Sequence, residues 1–453
     1  MEINIPWRNG KLKVADNKRF LCHENGTPFF WLGDTGWLLF QKLTVEEAEI
    51  YLEDRRKKGY NVIQAVVLHG VHPVNAYGEA AFEDFKSTEW SNILRQPYNP
   101  NSYNYWNNME HIVDLAAQKG LYIALVPMWG SIAKKLDLKG SDIQEYSKWL
   151  ALRYKEKPNI IWINGGDIRG SDHMEVWKTI GNTIKENDPN HLMTFHPFGR
   201  TQSSIWFHDA AWLDFNMFQS GHRRYDQQTL NREDDVFAAE WKGEDNWRYV
   251  QEDYAKEPKK PTIDGEPSYE GIPQGLHDPS EPYWTADDCR RYAYWAVFAG
   301  AFGHTYGNNA VIQMHKPGHG KGNYGVKNYW YEAIHDPGSS QMQYLKNLIL
   351  SESFYDRVPD QAIIAGENGE KYERLIATRG QNYTFIYTYT GRRMLIRMGR
   401  ISGDEVDAWW YNPRDGKRKF IGSFDNSGVR EFDPPGRKKN GNDWVLVLKT
   451  SMK

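Results

Sequence analysis

Two carboxylates in this sequence stand where they could share one reaction. Asp167 closes the segment Trp162-Ile-Asn-Gly-Gly-Asp167, and Glu266 lies in the turn Asp264-Gly-Glu-Pro267. Each follows a short apolar run and sits beside glycine, which lets backbone and ligand approach closely. Cleavage of a glycosidic bond needs such a pair. One carboxylic acid protonates the leaving oxygen, and the other attacks the anomeric carbon or directs a water to it. Either acid alone is as readily structural, capping the next helix or pairing with Arg169 or Arg224. Together, at corresponding places in the pattern described below, they favour chemistry. Asp264 competes with Glu266. Two residues earlier on an extended strand it points the same way but deeper. The reading therefore takes Asp167 as general acid/base and Glu266, nearer the mouth, as nucleophile. A general acid of this kind needs a pKa raised by its site.

Other polar and aromatic residues fall at the same kind of position and are candidate substrate contacts: Asp34, Trp37, His69, Trp129, Asn164, His196, Gln219, His222, Tyr269 and Asn308. Asp34 is read as a hydrogen-bonding partner for substrate hydroxyls, with an N-cap role as the alternative. The chain holds 19 Trp, and flat rings suit the apolar C–H faces of sugars, although most such rings fill cores. His69 and His72, with His196 or His222 as a third, raise the question of a metal. Their spacing matches no strong zinc signature such as HExxH, so neither a metal nor any other cofactor is expected. There is no GxSxG, and neither Cys22 nor Cys289 stands at a strand end, which weakens Ser or Cys nucleophile chemistry.

The elements that must position these residues follow a rhythm. After hairpin-like material over Met1–Pro28, with turns at Asn9-Gly10 and Asn25-Gly26, short apolar runs alternate with amphipathic segments. The strands are read at 29–33, 61–68, 121–128, 159–164, 191–196, 214–219, 261–265 and 302–306. Helices are read at 45–58, with Thr44 as N-cap and Gly59 as stop, and at 109–119, 143–155, 174–186, 203–210, 247–255, 286–300 and 341–350. Near-continuous apolar strands suit a parallel sheet covered on both faces. The repeated alternation predicts an α/β protein with a (β/α)8 TIM barrel, whose site lies at the C-terminal ends of the strands. A doubly wound open sheet lacks its Gly-rich phosphate loop after the first strand.

Past Ser351 the segments become short and alternating with Gly and Asn turns: 362–365, 374–378, 383–390, 394–398, 406–411, 420–424 and 444–448. They predict a C-terminal all-β sandwich. The domains are read as 1–352 and 353–453, with the boundary near Ser351–Asp360. A length of 453 residues fits two cores. The net charge of −3 gives no reason to expect nucleic acid or an anionic membrane as partner. No run reaches the ~18 apolar residues of a membrane span. Two distant cysteines give no disulfide framework and are read as buried thiols.

The run Asn25-Gly-Thr-Pro-Phe-Phe-Trp-Leu-Gly-Asp-Thr-Gly-Trp37, the Trp162–Asp167 segment and the Asp264–Pro267 turn together resemble glycoside hydrolase family 140. The resemblance covers nearly the whole chain. It implies a retaining apiosidase acting on β-linked apiose in the pectic polysaccharide rhamnogalacturonan-II. It also implies an acid/base Asp on strand four, a nucleophilic Glu on strand seven and a C-terminal sandwich. The partner is then a plant cell-wall glycan, with no nucleic acid and no membrane. The implied location is extracytoplasmic, and the absence of an apolar signal core at the N-terminus is then a matter of trimming.

Overall fold

The computed structural model describes residues 4–82, 99, 101–135, 140–227 and 242–451. The segment between the second strand and Asn107, rich in Asn, Tyr and Pro, lies partly outside these residues. A small antiparallel meander comes first: β1 (Leu12–Val14), β2 (Leu21–His23) and β3 (Pro28–Phe29). The barrel strands follow: β4 (Trp31–Thr35), β5 (Val62–Val66), β6 (Tyr122–Val126), β7 (Ile160–Ile168) and β8 (Met193–Pro197). After the short β9 (Thr201–Gln202) come β10 (Asn216–Gln219), β11 (Thr262–Asp264) and β12 (Gly303–Tyr306).

One parallel sheet runs β12-β4-β5-β6-β7-β8, and β10 pairs in parallel with β11. Backbone bonds from Asp214 N–H to Met193 O (2.8 Å) and from Phe302 N–H to Thr262 O (3.1 Å) join the two arcs into a ring. This is a (β/α)8 barrel. Residues of β5 and β6 are buried throughout, as expected of strands held between a packed interior and a helical layer. The helix read from Val45 begins where its cap predicts, whereas those read from 109 and 341 begin earlier, at Tyr105 and Pro337. Thr44 accepts from Glu47 N–H while the Glu47 carboxylate accepts from Thr44 N–H, which starts the helix Val45–Lys57.

β4 is shifted from the expected 29–33. It starts at Trp31 and continues through Asp34 and Thr35. β7 runs on through Asp167 to Ile168, beyond the predicted stop at 164, because a register shift between Gly165 and Ile168 keeps it paired with β8.

The C-terminal region is antiparallel. β13 (Val358–Pro359), β14 (Leu375–Arg379), β15 (Tyr383–Thr388), β20 (Trp444–Thr450), β17 (Glu405–Tyr411) and β18 (Arg418–Asp425) form one sheet. β16 (Met394–Arg397) and β19 (Val429–Phe432) form the other. The strand expected at 362–365 is a 3-10 turn, Gln361–Ile363. The Asp360 carboxylate accepts from Ala362 N–H and holds the chain in that turn.

The seam between barrel and sandwich is dense. Arg290 forks onto Asp443 with contacts of 2.8 and 2.9 Å, and Tyr294 stacks on Tyr387 at 4.8 Å. Arg291 meets Glu244 at 2.6 Å inside a cage of Tyr292, Trp295, Tyr372 and Tyr389. Cys22 and Cys289 are buried free thiols. Among the described residues no helix is long and apolar enough to cross a membrane.

Candidate active site

The strand ends converge on a cavity of about 330 Å³. Asp167 reaches it through a backbone reversal. Gly165 and Gly166 both have positive φ (+84° and +108°), and Asp167 follows at +50°. No side chain fits at either glycine. A Cβ on Gly165 would meet the Phe195 ring at 2.6 Å, and one on Gly166 would meet Trp129 at 2.7 Å. The reversal turns the Asp167 side chain out of the strand and into the cavity, where it keeps accessible surface. A left-handed aspartate is a local strain, and such strain persists where the surroundings over-determine it.

Glu266 comes from the turn after β11 and is nearly buried. Its Oε1 lies 2.9 Å from His222 Nε2 and its Oε2 lies 3.3 Å from His196 Nε2. His196 Nδ1 faces the Asp167 backbone N–H at 3.3 Å. Accepting there assigns the imidazole proton to Nε2, the atom turned toward Glu266. The Tyr269 hydroxyl sits near Glu266 and Thr35 without completing a hydrogen bond of normal geometry. Gln64 on β5 donates across the barrel to Gly265 O (3.0 Å), which fixes the turn from below.

These surroundings drive the two carboxyls apart. Desolvation by the cavity walls pushes Asp167 up although its side chain keeps accessible surface, and the charge of Glu266 pushes it further, to about 6. Burial also acts on Glu266, but the N–H groups that His196 and His222 turn toward it outweigh burial and hold that carboxyl low. One group is thus poised to give a proton while its neighbour stays ionised, the division of labour that paired acids need. Asp264 lies beneath, fully buried, accepting from Ser220 Oγ (2.7 Å) and Asn246 Nδ2 (3.1 Å).

Of the expected contact residues, Trp37, His69, Trp129, Gln219, His222 and Tyr269 line the cavity. His196 stands behind Glu266. Three expectations are corrected. Asp34 is fully buried within β4, and its carboxylate meets Arg55 (2.8 Å) and Tyr51 (2.6 Å) of the helix Val45–Lys57. The strand outlasts the predicted stop, so Asp34 points into the strand–helix layer. Asn164 likewise faces outward, donating to Trp177 O (2.7 Å) and accepting from Gly165 N–H (2.9 Å). Asn308 caps the short helix Asn309–Ile312 and donates to Asp336.

The sequence reading missed Phe198, Arg200, Arg223, Ile272, Leu276, His277, Gln313 and Tyr324, all of which line the cavity from loops. A neighbouring cleft shares the walls Leu38, Gln313 and Asn323 and adds Lys42, His315, His319 and Lys321. Lys316, beside it, is paired with Glu47. Among the described residues there is no group of three His, Cys, Asp or Glu arranged to hold a metal ion.

Residues 15–356 match the family model described as "Apiosidase-like, catalytic domain". Residues 358–449 match one described as "Putative collagen-binding domain of a collagenase". A solved structure named glycoside hydrolase is 51% identical, with a TM-score of 0.94, over 100% of this chain and 99% of its own. A glycoside hydrolase of family 5 from Bacteroides vulgatus is 48% identical, also with a TM-score of 0.94, over 100% of this chain and 96% of its own. A third solved protein from that organism, 13% identical over 98% of this chain and 83% of its own, shares the fold with a TM-score of 0.68. No curated protein matches the chain.

Proposed function

Because the chain belongs to the apiosidase-like glycoside hydrolases, we propose that it releases β-linked apiose from rhamnogalacturonan-II by double displacement. Asp167 is the acid/base and Glu266 the nucleophile. The observation that carries this is one cavity holding a proton-rich Asp167 beside a Glu266 kept ionised by two histidines.

In the first step Glu266 attacks the anomeric carbon as Asp167 passes its proton to the glycosidic oxygen. The C–O bond breaks, the aglycone leaves as an alcohol, and the sugar remains as an ester of Glu266. In the second step Asp167, now a carboxylate, takes a proton from water as that water attacks the same carbon. The ester bond breaks, and Asp167 is protonated again. A carboxylate held far below its usual range has little affinity for protons, so it is a poor base toward water. It serves better as a direct nucleophile and leaving group, which supports retention over inversion. The histidine donors favour its departure in the second step.

The cationic cleft supports an acidic polymer as substrate. Lys42 and Lys321 line it, and uronate groups of a pectic backbone would complement their charge. A cell-wall polymer does not cross a membrane intact, so the proposal puts the enzyme outside the cytoplasm. The sandwich acts as a brace against the barrel, through contacts such as Arg290–Asp443.

The test is incubation with rhamnogalacturonan-II fragments and a panel of aryl glycosides that includes a β-apioside, with the first-formed anomer followed by NMR. Apiose appearing in the β form is the expected result. Release of a different sugar would make this another plant-polysaccharide glycosidase, and an α first product would end the double-displacement reading.

A further inference from the structure

The loop after β12 enters the cavity through Gln313, Asn323 and Tyr324. Tyr324 holds φ at +54°, a left-handed conformation that is sterically costly for a bulky side chain. Glycine or asparagine would adopt it with less strain, and the flanking Gly322 and Gly325 already do (+67° and +58°). The tyrosine is kept there by two buried amides. Asn309 Nδ2 donates to Tyr324 O (2.8 Å) and to Gly271 O (2.9 Å). Gln313 Oε1 accepts from Asn323 N–H (2.7 Å), while its Nε2 donates to Asn323 O (3.2 Å) and Asn309 Oδ1 (2.8 Å). Both peptide groups of Asn323 and the Tyr324 carbonyl are therefore fixed from the barrel side.

The ring is left partly exposed, at 37%, and lies 6.0 Å from that of His277, another wall of the cavity. Burial and the charges of Asp167 and Glu266 push the phenol up, so it remains a proton donor throughout the working range. Strain that is held by an over-determined network and displayed at a cavity points to a side chain wanted at that place.

We propose that Tyr324 is a substrate-contacting residue whose phenol donates a hydrogen bond to a hydroxyl of the bound sugar, and that the loop keeps its strained backbone to present it. This rests on the reading of the cavity as the catalytic one.

The test compares Tyr324→Phe and Tyr324→Gly with the wild-type protein on an aryl glycoside that the wild type hydrolyses, alongside thermal denaturation. Tyr324→Phe should lower kcat/KM by about tenfold or more with Tm unchanged. Tyr324→Gly should lower it further while Tm holds or rises, because glycine relieves the backbone strain. A wild-type kcat/KM in Tyr324→Phe overturns the contact. A Tm lower by several degrees in Tyr324→Gly would make the tyrosine a packing element and overturn the strain argument. Glu266→Gln, run in parallel, separates the two readings. If that variant stays active while Tyr324→Phe loses rate, the nucleophile assignment fails and the tyrosine contact stands.

Discussion

The mouth of the barrel and the seam with the sandwich both bury charge, and they resolve it in different ways. At the seam two buried cations each have a carboxylate: Arg290 faces Asp443 and Arg291 faces Glu244, while Arg357 is held by the carbonyls of Val297 and Ala301. At the mouth two carboxyls share one cavity, and their partners are His196 and His222, which carry charge only when protonated. The two ion pairs are electrically closed, since each is desolvated once and stays paired. The mouth keeps a proton on one acid and a charge on the other. Matched charges fix a geometry, whereas a proton can be moved, and moving it is what a reaction requires.

The sharpest way to break this contrast is Glu266→Gln. Under the proposed mechanism it lowers kcat by ~10⁴-fold or more, read as aryl release. The depressed carboxyl also contributes stability that is present above its unfolded pKa and lost as pH falls through its folded one, so the variant should melt lower at pH 7. Retained turnover would remove Glu266 from the chemistry.

Asp167→Asn should cost ~10²–10⁴-fold in rate while moving Tm the other way. The folded pKa of Asp167 is raised, to about 6. The folded state therefore binds that proton more tightly, and stability falls as pH rises from the unfolded value toward about 6. A neutral amide escapes the penalty, so at pH 7 the variant should melt higher than wild type. A lower Tm would mean that Asp167 is a structural group.

At the seam the expected result is reversed. Arg290→Met strands a buried Asp443 and should cost about 3–5 kcal/mol in chemical denaturation, while the folded enzyme keeps its kcat/KM. Adding Asp443→Leu should restore most of that loss. Loss of activity without loss of stability would contradict the division between the two regions.

The smallest effect is in the pH profile. The wild-type rate should decline above about 6 as Asp167 gives up its proton. His222→Leu, which removes one donor from Glu266, should shift the acid limb upward. An unmoved limb would show that His222 does not hold the charge.

Much of the barrel was legible because buried parallel strands are apolar runs separated by capped helices, as at Thr44 and Gly59. Asp167 and Glu266 could be singled out because both follow such runs beside glycines. Asp34 was misjudged by the length of one strand. Two extra residues of β4 turn it from a loop position into a side chain facing Arg55. Tyr324, Phe198 and Arg200 left no periodic trace. Their loops are shaped by tertiary hydrogen bonds, such as Gln313 to Asn323, that pattern alone does not encode. The strands Val358–Pro359 and Val429–Phe432 were missed for a related reason. The first is two residues long and ends in proline, and the second is exposed over most of its length.

His196 touches the backbone of one acid with one nitrogen and faces the carboxylate of the other with the second. A single rigid ring thus works as a gauge block between them. In glycosidases the span between paired carboxyls, about 5–5.5 Å or ~6.5–9.5 Å, decides which anomer is released. The imidazole thus sets the distance from the Asp167 backbone to the Glu266 carboxylate, and a shorter side chain at that position is expected to loosen the spacing of the two acids before it loosens the fold.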